Sequence, residues 1–234
     1  MTGSQFRFCW FILLIGGILL QGQSYTVSVY GFPIARANLD LTARDTIRMS
    51  YEVTGWLNYF FPARNSYITV YDSTALTCRS FEKNIHQGSF KQKVKITCSD
   101  STINYEGQSR SQSGPHQTIF TLLVALTRQG PEELDTRWFD LNNEGQTYRA
   151  RLLWADSTTI PVNSDSLLSQ HYRVDLFPTG QDSPFYDVTD TFMKYVGQAE
   201  AVKQIWVEES GKHRIIKAVM KVHGLPFQVL MNHE

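Results

Sequence analysis

An excess of charge of one sign is what this sequence most plainly lacks. Its 22 basic residues are matched by 22 acidic ones. Such a balance gives no long-range pull toward nucleic acid or an anionic membrane, and nucleic-acid binding is not expected. Cysteine is scarce too, with three in the chain. Four-ligand thiolate metal sites are excluded by that number, and His86, His116, His171, His213, His223 and His233 do not compensate. None stands within the three-to-five spacing of another that zinc sites favour. No metal or other cofactor is implied.

Catalytic signatures are missing as well. There is no Gly-x-Ser-x-Gly elbow, since Ser109 and Ser111 in "GQSRSQSG" have glycine at the wrong spacing, and no glycine-rich phosphate loop. Carboxylates are numerous, but nothing in their spacing singles out two for the paired chemistry of a glycosidase. A histidine acting as general base would need an oriented partner, which spacing alone does not supply. The balance favours binding over catalysis.

Long apolar runs are limited to "FCWFILLIGGILL", Phe8 to Leu20, preceded by the single charge Arg7. The run is shorter than the ~20 residues that a helix needs to cross a bilayer core. With small residues at Gly22 and Ser24, it reads as a cleaved signal peptide covering 1–24, the alternative being an uncleaved anchor. Cys9 lies at the start of the run rather than after it, which argues against lipidation. Residues 25–234 then form an exported domain of ~210 residues, long enough to fold as one unit without a staple. After cleavage no membrane span is left.

In the exported part only Cys78 and Cys98 remain, and an oxidising compartment would permit them to pair. "TCRSFEKNIHQGSFKQKVKITC" reads as two strands around a turn at Gln87-Gly88. Pairing centred on Gly88 sets the two cysteines opposite each other, at a Cα separation that a disulfide accepts. A two-residue turn would set Cys78 against Thr97 instead. The other reading is two small buried hydrophobes.

What the sequence does contain is period-two alternation. Ile47, Met49, Tyr51 and Val53 share one face of "TIRMSYEV"; Val94, Ile96 and Cys98 oppose Lys91, Lys93 and Lys95. The same pattern groups Tyr148, Ala150, Leu152 and Trp154, then Tyr172, Val174 and Leu176, and last Ile216, Ala218, Met220 and Val222. Such alternation predicts an antiparallel sheet with one solvated face. Helix is expected at two places. "QTIFTLLVALTRQGP" is apolar at Ile119, Leu122, Leu123 and Leu126, carries Arg128 in its last turn, and stops at Gly130-Pro131. "DVTDTFMKYVG" offers Asp187 as N-cap, one face of Val188, Phe192 and Tyr195, and Gly197 as terminator.

One stretch does not fit the half-solvated pattern. In "TGWLNYFFPARNSY" a strand would be apolar on both faces, whereas one helical turn would group Trp56, Tyr59 and Phe60. Trp56, Tyr59, Phe60 and Phe61 therefore either cap one end of the sheet, line an apolar ligand cavity, or form a protein-binding patch.

"LNYFFPARNSYITVYDSTALTCRSFEKNIHQGSFKQKVKI" resembles the core of an uncharacterised family of exported bacterial proteins, domain of unknown function 3108. Phe61-Pro62-Ala63-Arg64, Tyr71-Asp72, Phe81-Glu82-Lys83 and Gly88 carry the resemblance, which extends through the helix ending at Arg128. "IWVEESGKHRIIKAVMKVHG" is similar to the family's closing hairpin, so that Tyr25 to Met231 is covered. Asn65 departs from it, standing where the family more often has an acidic residue, and "SPFYDVTDTF" does not align. The resemblance implies a mainly β protein of the periplasm or cell envelope of a Gram-negative bacterium. It implies one curved antiparallel sheet, a half-barrel similar to lipoprotein carriers, with one or two short helices. It implies no reaction and no catalytic residues. The expected function is binding of an apolar or amphiphilic, lipid-like ligand; an envelope protein–protein scaffold is the alternative, and a glycan or lipid hydrolase comes third.

Overall fold

A computed structural model describes residues 22–105, 108–112, 114–180, 185–186 and 188–232. Residues 1–21 of the expected leader, His233 and the proposed cap Asp187 lie outside the described residues; the rest of that leader, Gly22 to Ser24, is described, and Gln23 and Ser24 open the first strand, opposite Leu39 and Asn38. The chain runs β1 (Gln23–Val29), β2 (Phe32–Asp40), β3 (Thr46–Val53), α1 (Leu57–Phe60), β4 (Ala63–Tyr71), β5 (Cys78–Gln87) and β6 (Phe90–Cys98). It continues through β7 (Thr102–Tyr105), β8 (Gln108–Ser111), α2 (Ile119–Leu126), α3 (Pro131–Leu134), β9 (Trp138–Asn143), β10 (Gln146–Val162) and β11 (Asp165–Pro178). The last elements are α4 (Thr191–Val196), β12 (Val202–Glu208), β13 (Ile215–Val222) and β14 (Leu225–Met231).

Among the described residues fourteen strands join one antiparallel sheet, in the order β8-β7-β6-β5-β4-β3-β2-β1-β14-β13-β12-β11-β10-β9. It is not closed: β8 and β9 are its two edges. The first and last strands meet in mid-sheet, with Tyr25 opposite Met231. Hairpin connections dominate because many of the strands bury alternate residues on one face and the chain returns to do so again. Along β5, for instance, Phe81, Lys83 and Ile85 are buried while Asn84 and His86 are exposed.

On that face lies α2, buried at Ile119, Phe120, Thr121, Leu122, Val124, Ala125 and Leu126. A helix apolar on nearly every side must be enclosed, and this one lies in the trough of the sheet, covering part of it. Its start is a reciprocal cap: Thr118 Oγ1 accepts from the Thr121 amide at 3.2 Å, and the Thr118 amide donates to Thr121 Oγ1 at 2.9 Å. The Gly130-Pro131 pair that was expected to stop it also opens α3, with Gly130 as N-cap and Pro131 in the first turn. Among the described residues four helices occur, against the one or two expected, because α1 and α3 are single turns too short to show a period.

Two further expectations are corrected. The second predicted helix starts later, at Thr191, and its cap is Asp190, whose Oδ1 accepts from the amides of Phe192 and Met193. Trp154 is 44% exposed although it shares the parity of buried Leu152, because the register shifts between Trp154 and Asp156 as the β10–β11 hairpin passes the core.

The β5–β6 turn is Gly88-Ser89, one residue later than read from the sequence, so Ser80 faces Thr97 and Cys78 falls beyond the pairing. Gly88 takes φ +60°, the first position of a two-residue turn that favours glycine. Cys78 pairs instead with Tyr71 on β4. Both thiols are free and interact with each other; that interaction and burial push the Cys78 thiol up, and the same interaction lowers Cys98. A thiol held low beside a partner is the one that ionises and attacks. Oxidised glutathione is therefore expected to close Cys78–Cys98, read as loss of the two thiol protons in the intact mass and a rise in melting temperature. A chain still carrying two titratable thiols would leave the pair as packing residues only.

Candidate functional site

Between the sheet and the helices the concave face is not filled. An open cavity of about 660 Å³ is bounded by β1–β3 through Tyr25, Ala37, Met49 and Tyr51, and by β12–β14 through Ile205, Ala218 and Val229. Leu123 of α2 with Phe192 and Tyr195 of α4 form its other wall, and Leu57, Phe60, Phe61 and Pro62 its lip. The size suits one small-molecule or single-chain amphiphile, and apolar lining with a few polar groups is the usual character of such sites.

The lip explains the aromatic stretch. Between Thr54 and Pro62 the chain makes the single turn α1, Leu57–Phe60, and no strand. At 3.6 residues per turn Leu57, Phe60 and Phe61 look toward the cavity, while Trp56 and Tyr59 do not line it. Trp56 stays in edge contact with Phe60, ring centroids 6.2 Å apart. Of the four aromatics singled out from sequence, two thus sit on the cavity and two outside it. All four are exposed by 69% or more, so none serves as core.

Sequence reading passed over the most unusual group of side chains. Lys83 is enclosed on β5 with Glu144, from the β9–β10 turn, and Asp190; their side chains are 0%, 3% and 0% exposed. Lys83 Nζ contacts Glu144 Oε1, donates to Asp190 Oδ2 at 3.3 Å, and donates to Thr189 Oγ1 at 2.8 Å, whose hydroxyl passes on to Glu144 Oε2 at 2.6 Å. Burial holds the Glu144 carboxyl above its ordinary range, the nearby Lys83 ammonium working against it. Period-two parity was the available signal, since Lys83 alternates inward with Phe81 and Ile85.

A hydrogen-bonded chain leads from this cluster to the cavity. Tyr67 donates to Asp190 Oδ1 at 2.7 Å, and Asn65 Nδ2 reaches both Tyr67 (3.2 Å) and the Tyr51 hydroxyl (2.7 Å). Gln87 Nε2 donates to Tyr51 at 2.7 Å, and Gln87 Oε1 accepts from the Thr191 hydroxyl at 3.1 Å. Burial raises both phenols, so each stays protonated. Asn65, unlike the acid expected there by resemblance, can donate to two tyrosine oxygens without adding a third negative charge beside Glu144 and Asp190. Tyr51, Gln87 and Thr191 form one hydrogen-bonded polar spot on a mostly apolar wall that also carries Asn38, Lys203 and Gln204.

The remaining chemistry is sparse. Glu144 and Asp190 converge, but on Lys83 and out of reach of solvent, which is a packing role rather than that of a glycosidase pair. His171 meets Asp156 at 3.2 Å while its ring stacks on Trp206, centroids 4.2 Å apart, and among the described residues no serine or cysteine hydrogen-bonds to it. Among the described residues no three histidine, cysteine or acidic side chains gather as a metal site, and no helix is long and apolar enough to cross a membrane.

Comparison with known proteins gives the fold a counterpart. No protein-family model and no curated protein matches the chain. One similar solved structure is the crystal structure of a β-barrel-like protein of domain of unknown function 1849 from Brucella abortus. It aligns with a TM-score of 0.57 over 91% of this chain and 96% of that one, at 7% identity. At that identity the likeness concerns the fold, and an uncharacterised β-rich domain is the level at which it speaks.

Proposed function

We propose that this chain is an exported envelope protein that binds an apolar or amphiphilic, lipid-like ligand in the cavity between its sheet and helices α2 and α4. The observation that carries the reading is an open space of about 660 Å³ on a face where a sheet of this kind would otherwise pack solid. Its wall is mostly apolar, with Tyr51, Gln87 and Thr191 linked by hydrogen bonds on one side and Asn38, Lys203 and Gln204 also on the lining, which suits an amphiphilic ligand. The apolar run before the fold supports export, to the periplasm of a Gram-negative bacterium by the resemblance to domain of unknown function 3108. That relationship is part of the same proposal.

Native mass spectrometry of the protein purified from its own envelope without detergent is the test, followed by solvent extraction. A reproducible adduct that extracts as lipid is the expected result. An apo mass under conditions that preserve weak complexes, joined to no uptake of a fluorescent apolar probe such as N-phenyl-1-naphthylamine, would overturn it.

A further inference from the structure

Of the exposed large apolar side chains, Tyr30, Phe32, Trp56, Tyr59, Phe60, Phe61 and Leu225 come from three neighbouring segments, while Trp138, Trp154, Leu168, Phe177, Val188 and Val202 lie on others. Tyr30 and Phe32 flank the β1–β2 turn, Trp56 and Tyr59 stand on α1, and Leu225 closes the β13–β14 turn. The four rings are 65% to 89% exposed and Leu225 is 45% exposed. Register places these segments at one end of the sheet, where Val29 faces Phe32 and Phe227, and Val222 faces Leu225. Side contacts tie them together: Tyr30 hydroxyl donates to Gly224 O at 3.3 Å, Thr54 amide to Ile34 O at 3.0 Å, and Gly88 amide to Pro62 O at 2.8 Å. The lip of the cavity, Phe60 to Pro62, lies within this patch.

Lone exposed apolar residues need no explanation, but a contiguous patch of them does. This one mixes tryptophan, tyrosine and phenylalanine, the rings that settle at the headgroup level of a bilayer because each pairs an apolar body with a polar edge or tip. Charge agrees. Among the described residues, the ionic side chains bordering these segments include Arg36, Arg64, Lys91, Lys194 and Lys221 against Glu52 and Glu200, and Glu52 is already held by Arg64 at 2.9 Å. Among the described residues the overall balance of charge thus hides a basic surplus at the end that carries the rings. Basic side chains beside apolar anchors are what an anionic lipid surface selects.

We infer that this end of the sheet docks on the surface of an anionic lipid bilayer, seating the aromatic rim at the headgroups with the cavity mouth facing the lipid. The inference rests on the ligand-binding reading, since a mouth pressed to the membrane is useful only if the cavity takes up what the membrane holds. Docking of this kind would let a lipid chain pass between bilayer and cavity without crossing water.

Sedimentation with sucrose-loaded vesicles tests it, using phosphatidylcholine alone and phosphatidylcholine with phosphatidylglycerol. Native protein is expected to pellet with the anionic vesicles, less so as salt is raised. Phe32→Ser with Trp56→Ser and Tyr59→Ser, none of which lines the cavity, is expected to weaken pelleting by about tenfold or more, while uptake of N-phenyl-1-naphthylamine is kept. Pelleting that ignores these substitutions overturns the inference. So does native protein that stays in the supernatant with both vesicles, and light scattering that then showed dimers would assign the patch to a second copy. Probe uptake is read separately: its loss in Ala218→Phe, with pelleting kept, supports two distinct surfaces. Absence of uptake in native protein that still pellets would overturn the cavity reading and leave the docking surface standing.

Discussion

Lys83→Met is expected to destabilise the protein by about 3–5 kcal/mol at neutral pH, the cost of breaking a buried ion pair from one side. Methionine keeps the volume of the stem, so the loss reports charge and hydrogen bonding and not a cavity. What it leaves behind are two carboxylates, Glu144 and Asp190, in a place where their side chains are 3% and 0% exposed. Neither can be reached by water without moving Thr189 or the start of α4, whose N-cap is Asp190 itself. The damage should therefore travel to α4 and the cavity wall it forms.

The pH dependence of that variant follows in sign. Burial already raises Glu144 above its ordinary value of 4.5, and Lys83 is the main force opposing the rise. Without Lys83 the folded-state value moves up further. A carboxyl raised in the folded state contributes its relative stability below the unfolded value, and loses it as pH rises through the folded one. Urea midpoints of Lys83→Met and native protein should accordingly converge toward pH 5 and separate at pH 7.5. Adding Glu144→Gln to Lys83→Met should recover part of the loss at pH 7.5. A midpoint change worth less than about 1 kcal/mol would mean that the cluster is not the closed ionic site described here, since surface pairs are worth that little.

Filling the cavity is the second large effect. Ala37 faces Tyr25 and Tyr51 across its neighbouring strands, and Ala218 faces Ile205 and Val229, all on the cavity wall. Ala37→Phe with Ala218→Phe is expected to reduce apolar-probe uptake by about tenfold or more, since the rings take the place of the ligand. Stability should hold or rise by about 1–2 kcal/mol, because the rings enter empty space and bury apolar surface there, unlike an insertion into a packed core. Titration with N-phenyl-1-naphthylamine and urea melts of the same sample decide the matter. Undiminished uptake in a protein that folds normally would place the binding elsewhere.

The alternation in β3, β6, β11 and β13 was enough to determine an antiparallel sheet with one wet face, because side-chain direction in a strand depends only on parity. The α2 stretch was legible for a similar reason, being apolar on nearly every side and closed by Gly130-Pro131. The turn at α1 could be read as one of two possibilities, and proximity of Trp56 to Phe60 settled on the helical one. What parity could not say is whether the buried face is filled. Ala37, Met49, Tyr51, Ala218 and Val229 look like ordinary core residues in sequence, and only the spacing of α2 and α4 above them turns part of that core into a cavity.

The rim and the ionic cluster were hidden for a related reason. Tyr30, Phe32, Trp56 and Leu225 are far apart along the chain and become one patch because β14 returns to lie beside β1. Lys83 stood in an inward-facing position that parity identifies, but its partners come from a turn and a helix cap many residues away. Sequence by itself determined the local geometry of strands and helices, which depends on near neighbours. Tertiary structure alone decided which distant side chains share a space, since that depends on the curvature of the sheet and on where the helices come to rest against it.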